Sequence, residues 1–221
     1  MALFTTEDGS HSLYSEKYGV SYHSKYGAIT ETQVVFIDAA LNFKAKQSSN
    51  LSVLEIGMGT GLNVLMSFIE AEKSKLTLQY TAIEGFPVSN EQLSELNFCK
   101  ALGNNFQDTL DKIDSLDWNK RHDLSPTFRF EKQLKLFEEI NFNNEFDIVY
   151  FDAFAPTSQP ELWEESFLEK MYLALKPNGV LTTYCAKGVV KRTLKKIGFE
   201  IEALPGPPGK REMTRALKSS H

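Results

Sequence analysis

The chain has 221 residues, 42% of them hydrophobic and 24% charged, with a formal net charge of −5. That is the make-up of one folded domain with an extension; it excludes a disordered tail, a collagen-like chain and a bilayer-spanning protein, because no apolar run nears the roughly 18 residues a span requires. Two cysteines, Cys99 and Cys185, stand far apart with no CxxC spacing, and MALFTTEDGSHS is not a secretory leader, so the expectation is a cytoplasmic protein with neither a disulfide framework nor a metal.

In chain order, residues 1–30 read as loops with a small hairpin, and Thr30 to Phe43 as a helix of mixed apolar spacing. KAKQSSN is a polar linker. LSVLEIG is a strand, GMGTG a glycine loop and LNVLMSFIEAEK an apolar helix. LTLQYTAIEGF is a second strand that ends at Glu84, and Ser89 or Asn90 caps the helix after it. Residues 98–125 have weak periodicity and are expected as helix and loop. TFRFEKQ is a third strand. FDIVYFDAF is a fourth, apolar on both faces as a central parallel strand must be. PELWEESFLEKMYLAL is helical, KPNG a turn and VLTTYCA a fifth strand. GVVKRTLKKIG is a basic amphipathic helix stopped by Gly198, and FEIEALPG with REMTRALK closes the chain as an antiparallel pair. Strands alternating with helices predict an α/β fold, a parallel sheet covered on both faces.

Nine basic residues lie between Lys187 and Lys218 against three acids, leaving 15 basic and 26 acidic residues elsewhere. Such an end can touch a phosphate backbone while the acidic body repels it; a solvated helix face has the same composition.

The first strand runs into Glu55-Ile56-Gly57-Met58-Gly59-Thr60-Gly61. Glycines there permit a tight turn and close backbone approach, and the following helix start offers free N–H groups. Glu84 closes the next strand, where a carboxylate can accept hydrogen bonds from ribose hydroxyls. The E-x-G-x-G-x-G pattern resembles the first motif of class I S-adenosylmethionine methyltransferases. Asp152, in FDAFAP, is placed where ligands bind an open parallel sheet. A carboxylate there can orient an acceptor amine and take its proton. FDAFAP resembles the acidic strand end, followed by proline, of amine methyltransferases; the plainer role for Asp152 is to cap a turn. The segment with Tyr14, Tyr22, His23 and Glu31 can cover the pocket. His23 as a general base is the weaker alternative to a structural histidine.

Several stretches together resemble one family: DGS, LYS, Ser21-Tyr22-His23-Ser24, GAITET, EIGMGTGLN, FDIVYFDAFAP with PELW, LTTYCAKGVVKRTLKKIGF and GKREM. They are similar to the methyltransferase that completes 5-methylaminomethyl-2-thiouridine at the tRNA wobble position, in the stand-alone form without a flavin oxidoreductase domain. The resemblance implies a Rossmann-like class I domain over residues 51–221, with a mostly parallel seven-stranded sheet, helices on both faces and an N-terminal extension, 1–50, over the active site. It implies S-adenosylmethionine as cofactor, tRNA as partner, and N-methylation of a 5-aminomethyl-uridine supplied by a separate enzyme. Gly57, Gly59, Gly61 and Glu84 fall at the cofactor, with Glu55 counted beside them, and Asp152 is the catalytic residue. The family's Gly-Asp pair after the third strand is missing, and Glu131 is the expected substitute at adenine. Tyr22, Phe154 and Pro156 are expected at the acceptor, and Lys187, Arg192, Lys210 and Arg211 at the tRNA. An amine transferase of polyamine-synthase type and a non-catalytic RNA scaffold are the alternatives.

Overall fold

In the computed structural model, residues 1–103 and 105–220 are described. The chain opens with a three-stranded antiparallel meander, β1 (Ala2–Thr5), β2 (His11–Ser15) and β3 (Val20–Ser21). α1 (Ala28–Thr32) continues through a π-helical stretch, Gln33–Leu41, into α2 (Asn42–Ala45). The mixed spacing seen in the sequence has its reason here. A π-helix closes its hydrogen bonds i→i+5 and winds wider than an α-helix, so Val35 and Ala40, and Phe36 and Leu41, come to lie near one another on buried faces. On the outer side Gln33 donates to Asp38, also five residues on, at 2.8 Å.

β4 (Asn50–Ile56), α3 (Leu62–Ser74) and β5 (Thr77–Glu84) form the first crossover unit. Short helices follow: α4 (Asn90–Ser94), capped by the Ser89 hydroxyl, α5 (Phe98–Ala101) and α6 (Gln107–Ser115). Then come β6 (Lys120–Ser125), β7 (Phe128–Leu134), β8 (Phe146–Phe151), α7 (Glu165–Ala174), β9 (Leu175–Thr183), α8 (Gly188–Ile197), β10 (Phe199–Pro205) and β11 (Glu212–Lys218).

The main sheet has eight strands in the order β10-β11-β9-β8-β4-β5-β7-β6. β9, β8, β4, β5 and β7 run parallel; β11 and β6 pair antiparallel at the two sides. Alternate residues of the central strands serve opposite faces. Val53, Ile148 and Tyr150 pack under α3 and the π-helical stretch; Leu54, Val149 and Phe151 pack under α7 and α8. Strand order reverses between β4 and β8, so a cleft opens at their carboxyl ends. Among the described residues no helix is long and apolar enough to cross a membrane.

Three expectations are corrected. The eighth strand, β6, lies in the stretch expected as helix and loop. KRHDLS is an edge strand with no apolar alternation, and opposite charges across the pair identify it: Arg121 faces Glu131 and Asp123 faces Arg129. KPNG is no free turn but lies inside β9. Asn178 takes φ 63° there, and the register against β8 jumps from Leu175 to Val180, which is a bulge. The helix expected from Pro160 breaks at Glu164, leaving a 3₁₀ turn at Pro160–Trp163 ahead of α7.

Candidate active site

The loop between β4 and α3 turns on left-handed glycines. Gly57 has φ 86°, and a Cβ on it would lie 2.9 Å from the Asp152 carbonyl oxygen. A Cβ on Gly59, at φ 53°, would lie 3.0 Å from the Tyr22 ring. Glycine is therefore required at both positions, by backbone conformation and by contact. The loop is tied to β5 by Glu84. One carboxylate oxygen accepts the Gly59 N–H at 3.0 Å and the other accepts the Phe86 N–H at 2.8 Å. Each oxygen keeps acceptor capacity for a further donor in the cleft.

Two cavities meet over this loop. The first runs past Gly57, Met58, Gly59 and Glu84 to Phe86 and Phe137. The second, of about 200 Å³, is walled by Tyr22, Glu31, Asp152, Phe154, Tyr184 and Lys210. Tyr22, His23, Asp152, Ala153 and Phe154 line both. Phe154 is clamped at this junction. Its N–H donates to Gln159 at 3.1 Å, its carbonyl accepts the Trp163 indole N–H at 2.8 Å, and its ring meets Tyr18 and Tyr22 at 4.9 and 5.0 Å between centroids. The first cavity is narrow, about 40 Å³, because Tyr18, Tyr22 and Phe86 lean over it. Lys17 sits 3.7 Å from the Phe86 ring centroid.

Asp152 is held from below. The Asn63 amide, at the second residue of α3, donates to Asp152 Oδ2 at 2.9 Å and to Glu55 Oε1 at 2.8 Å. Its own oxygen accepts the Thr32 hydroxyl at 2.9 Å. Tyr80 donates to the other Glu55 oxygen at 2.9 Å. Burial and the nearby Glu31 charge push the Asp152 carboxyl up to about 7, against the Asn63 hydrogen bond and the Lys210 charge, which pull it down. Burial also lifts Glu55 well above the carboxylate range. Asp152, titrating near neutrality, can gain or lose a proton there.

Several expected site residues stand elsewhere. Glu55 is fully buried and lines neither cavity; it supports Asn63 beneath the loop. Glu131 pairs with Arg121 and lines a separate groove with Gln79 and Arg129, because its position on β7 points it away from the cleft. The ring-bearing residues at the far end of the cleft are Phe86 and Phe137. Pro156 is not among the residues that wall the second cavity, where Ala155 stands instead. Lys187, Arg192 and Arg211 are exposed and line neither cavity, whereas Lys210 is inside the second. His23 is buried and neutral, its titration pushed down to about 4 by burial. Ser12 and Thr60 hold its ring at 3.1 and 3.4 Å, so it is a tie between β2 and the glycine loop rather than a base. Asn63, Tyr184 and Phe137 had no assigned role in the sequence, and Glu31 was placed only in the covering segment. Asn63, Glu31 and Tyr184 each stood in a stretch that resembled the family, in EIGMGTGLN, GAITET and LTTYCAKGVVKRTLKKIGF; Phe137 carried no signal.

A family model described as S-adenosyl-L-methionine-dependent methyltransferase matches residues 91–219. The chain belongs to this family. The methyltransferase is 28% identical over 213 residues to the tRNA 5-methylaminomethyl-2-thiouridine biosynthesis bifunctional protein MnmC of Leptospira interrogans, covering 90% of this chain and 32% of that protein. It is 27% identical over 214 residues to the protein of that name from Methylobacillus flagellatus, covering 90% and 33%. It thus spans about a third of the length of these relatives. In fold it matches MnmC2 from Aquifex aeolicus with a TM-score of 0.76 at 21% identity, over 99% of this chain and 69% of that one. A spermidine synthase in complex with the transition-state analogue AdoDATO matches with a TM-score of 0.56 at 17% identity, over 100% and 73%. The fold is that of the class I methyltransferases, with one strand more than seven.

The cleft suits the cofactor, S-adenosylmethionine. The glycine loop lines the cleft without side chains, Glu84 offers acceptors for ribose hydroxyls, and Phe86 and Phe137 offer faces for a base. When bound, the cofactor supplies an electrophilic methyl group.

Proposed function

We propose that the methyltransferase N-methylates the 5-aminomethyl group of a tRNA wobble uridine, giving a 5-methylaminomethyl-uridine. The observation that carries this reading is the junction of the two cavities at Asp152. The second cavity has the volume for a single pyrimidine ring and is lined by two carboxylates, Glu31 and Asp152, which favour a cationic amine. An ammonium has no lone pair and cannot attack. Asp152, poised near neutrality, takes its proton and holds the amine facing the first cavity. Tyr22 and Phe154 exclude water from the junction. The rest of the gain comes from positioning.

The tRNA part of the reading is supported by the names of the bifunctional relatives and by charge. Lys187 follows Tyr184 by three residues and Arg211 follows Lys210, so exposed cations border the acceptor cavity. A small diamine acceptor would not need them, and the polyamine-synthase reading has only the fold behind it. The test is incubation with labelled S-adenosylmethionine and undermodified tRNA, followed by digestion to nucleosides. Label in 5-methylaminomethyl-uridine is expected; label in no uridine derivative rejects the reading.

A further inference from the structure

The loop between β10 and β11 brings Lys210 back across the sheet to the acceptor cavity. Its ammonium ion-pairs with Glu31 and lies 3.9 Å from the centroid of the Tyr184 ring. Glu31 is buried at 7% exposure. One of its oxygens is fixed by the Ser24 N–H at 2.8 Å, and the lysine takes the other. A carboxylate beside an aromatic face is a receptor for an alkylammonium ion. Here a lysine of the chain itself fills that receptor, inside the cavity that Asp152 lines.

The base of the lysine is fixed but its tip is not. The Lys210 N–H donates to the Pro207 carbonyl at 2.9 Å and the Gly206 N–H to Arg211 at 3.2 Å. Gly209 packs so closely on Tyr26 that a Cβ would lie 2.0 Å from the ring. Beyond the backbone, the side chain is 31% exposed, and Glu31 is the hydrogen-bond partner of its ammonium among the described residues. Four rotatable carbons can carry it out to solvent without moving the loop.

We propose that Lys210 is a built-in stand-in for the acceptor: an incoming alkylammonium takes its place between Glu31 and Tyr184, and the lysine swings out. The inference rests on the amine acceptor proposed above and names Glu31 as the group that selects it. An acceptor without a cation leaves Glu31 buried and unpaired, which is costly. An acceptor whose amine carries its own carboxylate meets like charge from Glu31 and Asp152. Removing the lysine therefore tightens acceptor binding, whereas a phosphate-binding lysine would show the reverse.

The experiment is titration calorimetry of the full chain, saturated with S-adenosylhomocysteine, using benzylammonium as the probe. Glu31→Gln keeps an amide oxygen for the Ser24 N–H, and thermal melts check that each variant folds. Lys210→Met is expected to bind benzylammonium at least about fivefold tighter than wild type and Glu31→Gln at least about tenfold more weakly, the scale of one lost charge-assisted contact. Lys210→Arg should match wild type, and benzyl alcohol should give no heat. Unchanged or weaker binding by Lys210→Met overturns the proposal, as does unchanged binding by folded Glu31→Gln or no binding by any variant. Label transfer to tRNA is scored separately, and its failure would reject the RNA reading while leaving the benzylammonium result to stand or fall alone.

Discussion

Asp152 and Asn63 concentrate the chemistry at the scale of single residues. Asp152→Asn removes the proton acceptor but leaves the shape of the cleft. It is expected to keep cofactor affinity within about twofold and to lose about 10²–10⁴ in turnover, the usual contribution of a positioned acid–base group. The same change should stabilise the fold at alkaline pH. In the folded chain the carboxyl titrates at about 7 rather than 3.8, so folding retains a proton that the unfolded chain has already lost. Stability from that proton is present below pH 4 and disappears as pH rises through 7. Asn mimics the protonated form, so its melting temperature should exceed wild type at pH 8 and match it at pH 4; equal melting at pH 8 would refute the assignment. Asn63→Ala acts on the same group from beneath. Its N–H favours the charged carboxylate, so its loss should move the acidic limb of the rate–pH profile to higher pH.

Among the elements, the junction of the β4–α3 loop with the end of β8 is the most constrained. Gly57→Ala must shift the backbone, since its φ is 86° and its Cβ would press on the Asp152 carbonyl. Cofactor binding and turnover should fall together, by more than about tenfold each, because backbone strain of order 1–3 kcal/mol falls on both sites. Loss of one without the other would separate what the geometry joins. Sequence reading found this junction because both its halves carry local signatures: glycines after a strand, and an acid closing an apolar run. It missed β6, whose residues are edge-strand charges without alternation, and it placed a free turn where β9 has a bulge. It read the helix through 33–41 without its π geometry, because the wider π winding imitates irregular α spacing.

For the molecule as a whole, charge decides how RNA can approach. Lys191, Lys196 and Arg215 are paired with Glu212, Glu165 and Glu202, and Lys218 is buried against carbonyls. Lys187, Arg192, Lys195 and Arg211 are exposed, with no ion pair among the described residues. Four contacts predict a log–log salt slope for tRNA binding of about −3, at roughly 0.7 per single-strand phosphate. Lys187→Ala with Arg211→Ala should lower its magnitude by about half, read by filter binding across salt concentrations. The count of nine cations in the sequence overstated this surface, since partners far along the chain were invisible. Glu31 and Lys210 are 179 positions apart. No local pattern could join them, although each stood in a stretch that resembled the family.

The Thr32 hydroxyl has a reach beyond its own bond. By donating to the Asn63 oxygen it settles which way round that amide sits, with both N–H bonds turned toward Glu55 and Asp152. A truncation that removed the first helix would do more than uncover the cleft. It would take away the reference that keeps the amide from flipping, and two acids now separated by a mediator would face an oxygen instead.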